Sequence, residues 1–208
     1  LWPRPTERGT AGPPEAPYDI GYVRIQGATP AEIVIASATD GSVVDRSGTR
    51  AERAIVSPDR TTVLGLDGRT DDGPRVSLVD TTTFSAMDLG PLGDVAAAAW
   101  SHDSRSVVAV TTSGDVHLWD RDGTVVAEAT GATLSDARSV AWGGDGRRLA
   151  VLGEDALEVL TLAETGGAGF VSITTADLPG TPVAASWIDD TRLAVLARDG
   201  TIDVLTLT

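Results

Sequence analysis

The 208 residues contain no cysteine, no lysine and no asparagine, and only 4% are aromatic. Without cysteine there is no disulfide frame, no thiolate metal site and no cysteine nucleophile. Lysine and asparagine share A/T-rich codons, so their absence points to a GC-rich genome. All 16 basic residues are arginine, set against 30 acidic ones, for a formal net charge of −14. The arginines are scattered, with Arg147-Arg148 the one adjacent pair. A phosphate backbone needs clustered cations that release its counterions, so a nucleic-acid partner is not expected. No apolar run approaches the roughly 18 residues of a membrane-spanning helix, so any membrane association is expected to come from a segment outside this chain.

What the chain does contain is repetition. Four segments align: "AIVSPDRTTVLGL" (54–66), "AAWSHDSRSVVAV" (98–110), "VAWGGDGRRLAVL" (140–152) and "ASWIDDTRLAVLA" (185–197). Each is an apolar stretch, a short turn with an aspartate, and a second apolar stretch. The aspartates Asp59, Asp103, Asp145 and Asp190 lie 44, 42 and 45 residues apart (103−59, 145−103, 190−145). Trp100, Trp142 and Trp187 recur at the same place in three of the units. A step of about 40–45 residues is that of β-propeller blades. The expected fold is therefore all-β, a propeller of four-stranded antiparallel blades with four clear repeats and a partial one, complete or incomplete in this chain.

The third segment shows the physics of the unit. "SVVAV" is continuously apolar, as a strand covered on both faces must be. "SHDS" before it makes a turn in which Asp103 accepts backbone amides. Gly114 in "TTSGD" is free to take positive φ. "DVHLWD" alternates, with Val116, Leu118 and Asp120 on one side and His117 and Trp119 on the other. "TVVAEA" then forms an outer strand partly open to water. The blades are expected at about 19–51, 52–93, 94–135, 136–180 and 181–208. The last stops before a fourth strand, and "YVRIQ" (22–26) is a candidate to complete it. Residues 1–18, with five prolines in the first 17 positions, read as a linker or juxtamembrane segment. The start at Leu1 suggests a fragment or processed product.

Chemistry-bearing motifs are few. His102 and His117 are the two histidines, and neither has a Ser or Cys partner at a recognisable spacing. "DGRTDDG" (67–73) and "DRDG" (120–123) are acidic, but neither has the spaced carboxylates of a calcium loop. "GGDG" (143–146) and "ETGGAG" (164–169) lack the Lys-Ser/Thr of a phosphate loop. No catalytic residue, metal or cofactor is expected, and the chain reads as a non-enzyme. The tryptophans are expected to be inter-blade core. Propellers dock partners on rim loops. The longest candidates, 67–74, 129–137 and 163–168, nominate Arg69, Asp71, Asp72, Arg138 and Glu164 as binding residues for a protein partner.

The stretch "AAAAWSHDSRSVVAVTTSGDVHLWDRDG" (96–123) resembles a WD40 repeat, with its Trp-Ser-x-Asp turn, Gly-Asp turn and closing Trp119-Asp120. The Gly-His pair of that family is missing from every unit, and no other unit ends in Trp-Asp. Residues 54–207, with "WIDDTRLAV" at 187–195, are similar to the propeller region of actinobacterial LpqB-type lipoproteins. That resemblance implies an accessory of a sensor kinase at the outer face of the cytoplasmic membrane. The family's preceding domain and lipidated cysteine are not in this chain, and no functional residues transfer. The expected function is a non-catalytic scaffold of the cell envelope, accessory to a membrane signalling or transport complex. An extracytoplasmic sensory domain for a glycan or peptide is the alternative, and a cytoplasmic location stays open.

Overall fold

The computed structural model describes residues 2–4, 19–26, 29–37, 40, 42–70, 73–131, 133–163, 169–178 and 180–207. No helix occurs among them; all regular structure is strand. The chain divides into two compact units, Leu1–Leu92 and Gly93–Thr208.

The first unit holds two four-stranded sheets. One runs β1 (Trp2–Arg4), β2 (Asp19–Gln26), β3 (Thr29–Ser37) and β4 (Val43–Arg50). The other runs β5 (Arg53–Val56), β6 (Thr62–Thr70), β7 (Gly73–Asp80) and β8 (Ala86–Pro91). Each is an antiparallel meander in chain order. Two expectations meet described strands here. Trp2–Arg4, inside the expected linker, pairs with Asp19–Gly21. "YVRIQ" does not complete the last unit, because β2 is already flanked by β1 and β3 and both its edges are used.

The second unit holds three sheets. The first is β9 (Val95–Trp100), β10 (Ser106–Thr111), β11 (Val116–Asp120) and β12 (Val125–Ala129). The second is β13 (Ser139–Trp142), β14 (Arg148–Leu152), β15 (Ala156–Leu162) and β16 (Phe170–Asp177). The third has three strands only: β17 (Pro182–Trp187), β18 (Arg192–Ala197) and β19 (Ile202–Thr206).

Register makes the repeat visible. One cross-strand row reads Val56–Val63–Val79, and the same row recurs as Trp100–Val107–Trp119, Trp142–Leu149–Leu160 and Trp187–Leu193–Leu205. Side chains alternate across a strand, so adjacent positions serve opposite faces. In the middle sheet of the second unit, Leu149, Val151 and Leu160 join Val108, Val110, Val116 and Leu118 of the preceding sheet in one core. Ala150, Leu152, Leu157 and Val159 join Leu193 and Val195 of the following sheet in another. A strand covered on both faces cannot alternate polar and apolar residues, which is why "RLAVL" is apolar without a break.

A repeated hydrogen bond fixes the sheets against each other. Trp142 Nε1 donates to the Ala99 carbonyl at 3.2 Å, and Trp187 Nε1 donates to the Ala141 carbonyl at 3.1 Å. Each acceptor is the residue just before the preceding sheet's own tryptophan. The indole thus buries its ring between sheets and still satisfies its N–H. Trp142→Phe keeps most of the apolar area but removes this bond; urea unfolding is expected to show a loss of roughly 1–3 kcal/mol. Gly114 sits at φ +83, and a Cβ there would lie 2.5 Å from the Thr133 carbonyl oxygen. Gly114→Ala is expected to cost about 1 kcal/mol or more in the same assay.

Candidate functional site

The turns between first and second strands are closed by carboxylates. Asp59 Oδ1 accepts the Ser57 hydroxyl at 2.6 Å and the Thr61 amide at 3.1 Å. Asp103 Oδ1 accepts the Ser101 hydroxyl at 2.7 Å and the Arg105 amide at 3.1 Å. Asp145 Oδ1 accepts the amides of Arg147 and Arg148, while its Oδ2 takes Arg148 Nε at 2.7 Å. In the last unit the residue doing this work is Asp189, not the expected Asp190. Asp189 Oδ1 accepts the Thr191 and Arg192 amides, each at 2.9 Å, and Oδ2 takes Arg192 Nε at 2.7 Å. The reason is a hairpin one residue shorter. Trp187 pairs with Leu193, six residues on, whereas Trp100 pairs with Val107 and Trp142 with Leu149, seven on. Counted from the second strand, the spacings are 44, 42 and 44 (103−59, 145−103, 189−145). Asp190 instead lies 3.9 Å from Arg148 of the preceding sheet, whose guanidinium sits 5.2 Å over the Trp187 ring.

Trp119-Asp120 divides between two tasks. Trp119 is buried in a row with Trp100 and Val107, at the position that Leu160 and Leu205 hold in their own sheets, and stacks on His117 with centroids 5.7 Å apart. His117 Nδ1 also lies 3.3 Å from Glu128. Asp120 Oδ1 closes the β11–β12 turn by accepting the amides of Asp122 and Thr124. Asp80, opposite Thr62 as Asp120 is opposite Ser106, accepts the amides of Thr82 and Thr83 in the same way. The motif's aspartate therefore recurs in a unit without its tryptophan. Its signal in the sequence was the "VDTTT" that follows an apolar strand.

The nominated rim residues do not assemble into one site. Residues 67–74 are mostly ladder: Arg69 pairs with Pro74 and Thr70 with Gly73. Asp71 and Asp72 lie outside the described residues, as does Glu164; of Arg69 only the backbone pairing is described. Arg138 is exposed in the connection entering β13, where its guanidinium meets Glu154 of the β14–β15 turn at 3.0 Å. Asp136 holds the same turn through the Glu154 amide at 2.6 Å. This end of the sheet is opposite the one where β15 ends at Leu162.

The turn carboxylates share an electrostatic consequence. The Ser101 hydroxyl holds the Asp103 carboxyl below the usual carboxylate range. For Asp145 burial pushes upward, but the Arg147 and Arg148 amides and the Arg148 guanidinium outweigh it, and the net direction is down. The Arg192 guanidinium holds Asp189 well down. Asp120 is held up by the neighbouring Asp122 carboxylate, which is itself held down. Lowered carboxyl pKa values stabilise the fold above the unfolded value of about 4, and that stabilisation is lost as pH falls through the folded values. The melting temperature is therefore expected to be flat above about pH 5 and to fall below about pH 4. The fall should be shallower in Asp103→Asn and Asp145→Asn, measured by circular dichroism.

Among the described residues, the face of the last sheet departs from its own repeat. Register places Leu196 opposite Ile202 and Ala194 opposite Val204. The equivalent pairs are Val110–Val116 and Val108–Leu118 in one sheet, and Leu152–Leu157 and Ala150–Val159 in another. Those side chains are at most 2% exposed, whereas Leu196, Ile202 and Val204 are 39%, 66% and 53% exposed. Composition gave no hint of this: "RLAVLARDGTIDVLTL" is as apolar as its sister segments. Among the described residues no group of three acidic or histidine side chains is gathered to hold a metal ion.

No protein-family model matches the chain, and no curated protein matches it. A solved structure described as the Dos1 propeller does, at a TM-score of 0.64 and 15% identity, over 91% of this chain and 50% of that one. The fold is that of a β-propeller, with four sheets of four antiparallel strands and one of three among the described residues. The chain spans about half the length of the propeller it matches.

Proposed function

We propose that this chain is a non-catalytic propeller module that docks another protein, as a scaffold of the cell envelope accessory to a membrane signalling or transport complex. The observation that carries the docking role is the uncovered face of the last sheet. Its Leu196, Ile202 and Val204 are apolar at positions where the sister sheets are sealed by a neighbouring sheet. Exposed apolar side chains in register on a rigid sheet mark a contact surface rather than a solvated one. The turn carboxylates, in contrast, are engaged in closing hairpins. The envelope setting rests on the resemblance of residues 54–207 to LpqB-type propellers.

A single charge placed on the face separates docking from stability. Leu196→Arg puts a guanidinium on an exposed position, so the melting temperature should stay within a few degrees. Capture of a specific protein from solubilised envelopes of the source bacterium should fall at least tenfold against the unsubstituted chain. Equal capture by both forms, or a melting shift with soluble glycan and no protein captured, overturns the proposal.

A further inference from the structure

Among the described residues Glu158 is the one charged side chain that is buried, at 7% exposed, and no described residue bonds its carboxylate. Register places it. Glu158 stands opposite Val151 of β14, whose side chain belongs to the core shared with the β9–β12 sheet, so Glu158 lies on the face turned to that sheet. The same position is polar in a sister sheet, where His117 stands opposite Ala109. There the outer strand answers it, with Glu128 3.3 Å from the imidazole. β16 gives Glu158 no such answer. It adds a second carboxylate instead: Ala156 pairs with Asp177 as Glu158 pairs with Thr175, which sets Asp177 diagonally beside Glu158 on the same face.

The surroundings are acidic as well. In the β14–β15 turn the Asp155 carbonyl accepts the Leu178 amide at 2.7 Å, which holds the turn against the end of β16. Asp155 and Asp177 are exposed, and like Glu158 their carboxylates have no partner among the described residues. The guanidinium of Arg138 is already taken by Glu154 of the same turn. A carboxylate drawn out of water without a partner is costly, and a like charge beside it adds to the cost. A cation that reaches both carboxylates removes both penalties. Among the described residues no third ligand joins them to form a metal site. Two carboxylates suit the several N–H donors of a guanidinium or ammonium group rather than the oxygen cage of a divalent metal.

We propose that this corner of the β13–β16 sheet binds an organic cation: a guanidinium or primary ammonium group seats between Glu158 and Asp177. Two sources carry such a group, an arginine or lysine side chain of another polypeptide and a free polyamine, and the chemistry of the site is the same for both. Glu158 supplies the stronger pull because little water screens it, and the exposed Asp177 leaves the way in open. The net charge of −14 draws either source toward the chain. The sheet that holds the site has all four of its strands and is not the docking face, so the two proposals stand or fall separately.

Carboxyl-carbon NMR on the full chain at physiological salt reads the site directly. Agmatine, a free cation with a guanidinium and an ammonium group, should shift the Glu158 and Asp177 carboxyl signals saturably. A capped GGRGG peptide tests the side-chain source. Glu158→Gln and Asp177→Asn should each weaken binding about tenfold or more, whereas Asp122→Asn, in the β11–β12 turn, should leave it unchanged. Glu158→Gln also removes the unpaired buried charge, so its melting temperature should equal or exceed that of the unsubstituted chain. Agmatine should raise the melting temperature of the unsubstituted chain and not that of Glu158→Gln. Saturation by the peptide assigns a polypeptide side chain as a sufficient source, and saturation by agmatine alone assigns a free amine. Shifts that are absent, or that spread unsaturated over the exposed carboxylates, overturn the proposal, as does equal binding by Glu158→Gln. Saturable shifts with calcium chloride and none with agmatine also overturn it.

Discussion

Everything in this fold depends on two-sided burial of each sheet, and the indole N–H to carbonyl bond is its registration mark. A four-stranded sheet with both faces apolar is insoluble by itself; it exists only sandwiched between others. Trp142 and Trp187 set the spacing, each reaching the carbonyl just before the previous tryptophan. That bond ties one sheet's first strand to the next one's, and the aliphatic rows behind it follow. Leu149 and Val151 face one neighbour while Ala150 and Leu152 face the other. The proposed docking role grows from the same constraint, because apolar side chains exposed on one face of such a sheet mark a contact surface.

The acidic character has a local explanation. Many of the carboxylates are spent within two to four residues of themselves, accepting turn amides at Asp59, Asp80, Asp103, Asp120, Asp145 and Asp189. An aspartate can replace a backbone carbonyl in closing a hairpin, and asparagine, its usual alternative, is absent from this chain. Carboxylates committed in this way are poor candidates for acid–base work. They also make the fold's stability a function of pH in the acid range rather than near neutrality.

Much of the architecture was legible because the repeat is a physical period. The runs "SVVAV" and "RLAVL" announce strands covered on both faces, and β10 and β14 are those strands. The 42–45 residue step announces blades, since each blade must return the chain to the same edge. What misled was local. Asp190 has the right distance from its tryptophan, but a hairpin shortened by one residue moves the turn carboxylate to Asp189. The length of "DGRTDDG" suggests a loop, yet backbone pairing extends the ladder to Thr70 and Gly73. Arg138 was visible as a rim arginine; its engagement with Glu154 was not, because that pair joins two connections 16 residues apart (154−138).

The sequence by itself determined the unit: strand, carboxylate turn, doubly apolar strand, and a tryptophan at a constant place. Those are short-range requirements, written in alternation, turn chemistry and period. Only the tertiary structure decided which apolar faces are covered and which are exposed. "TIDVLTL" carries the same residues as strands with 0% exposed side chains, and nothing in its pattern says that Ile202 is 66% exposed. Burial is a property of what lies across the sheet and along its edge. A strand encodes the demand for a neighbour, and only the assembled fold shows which positions are covered.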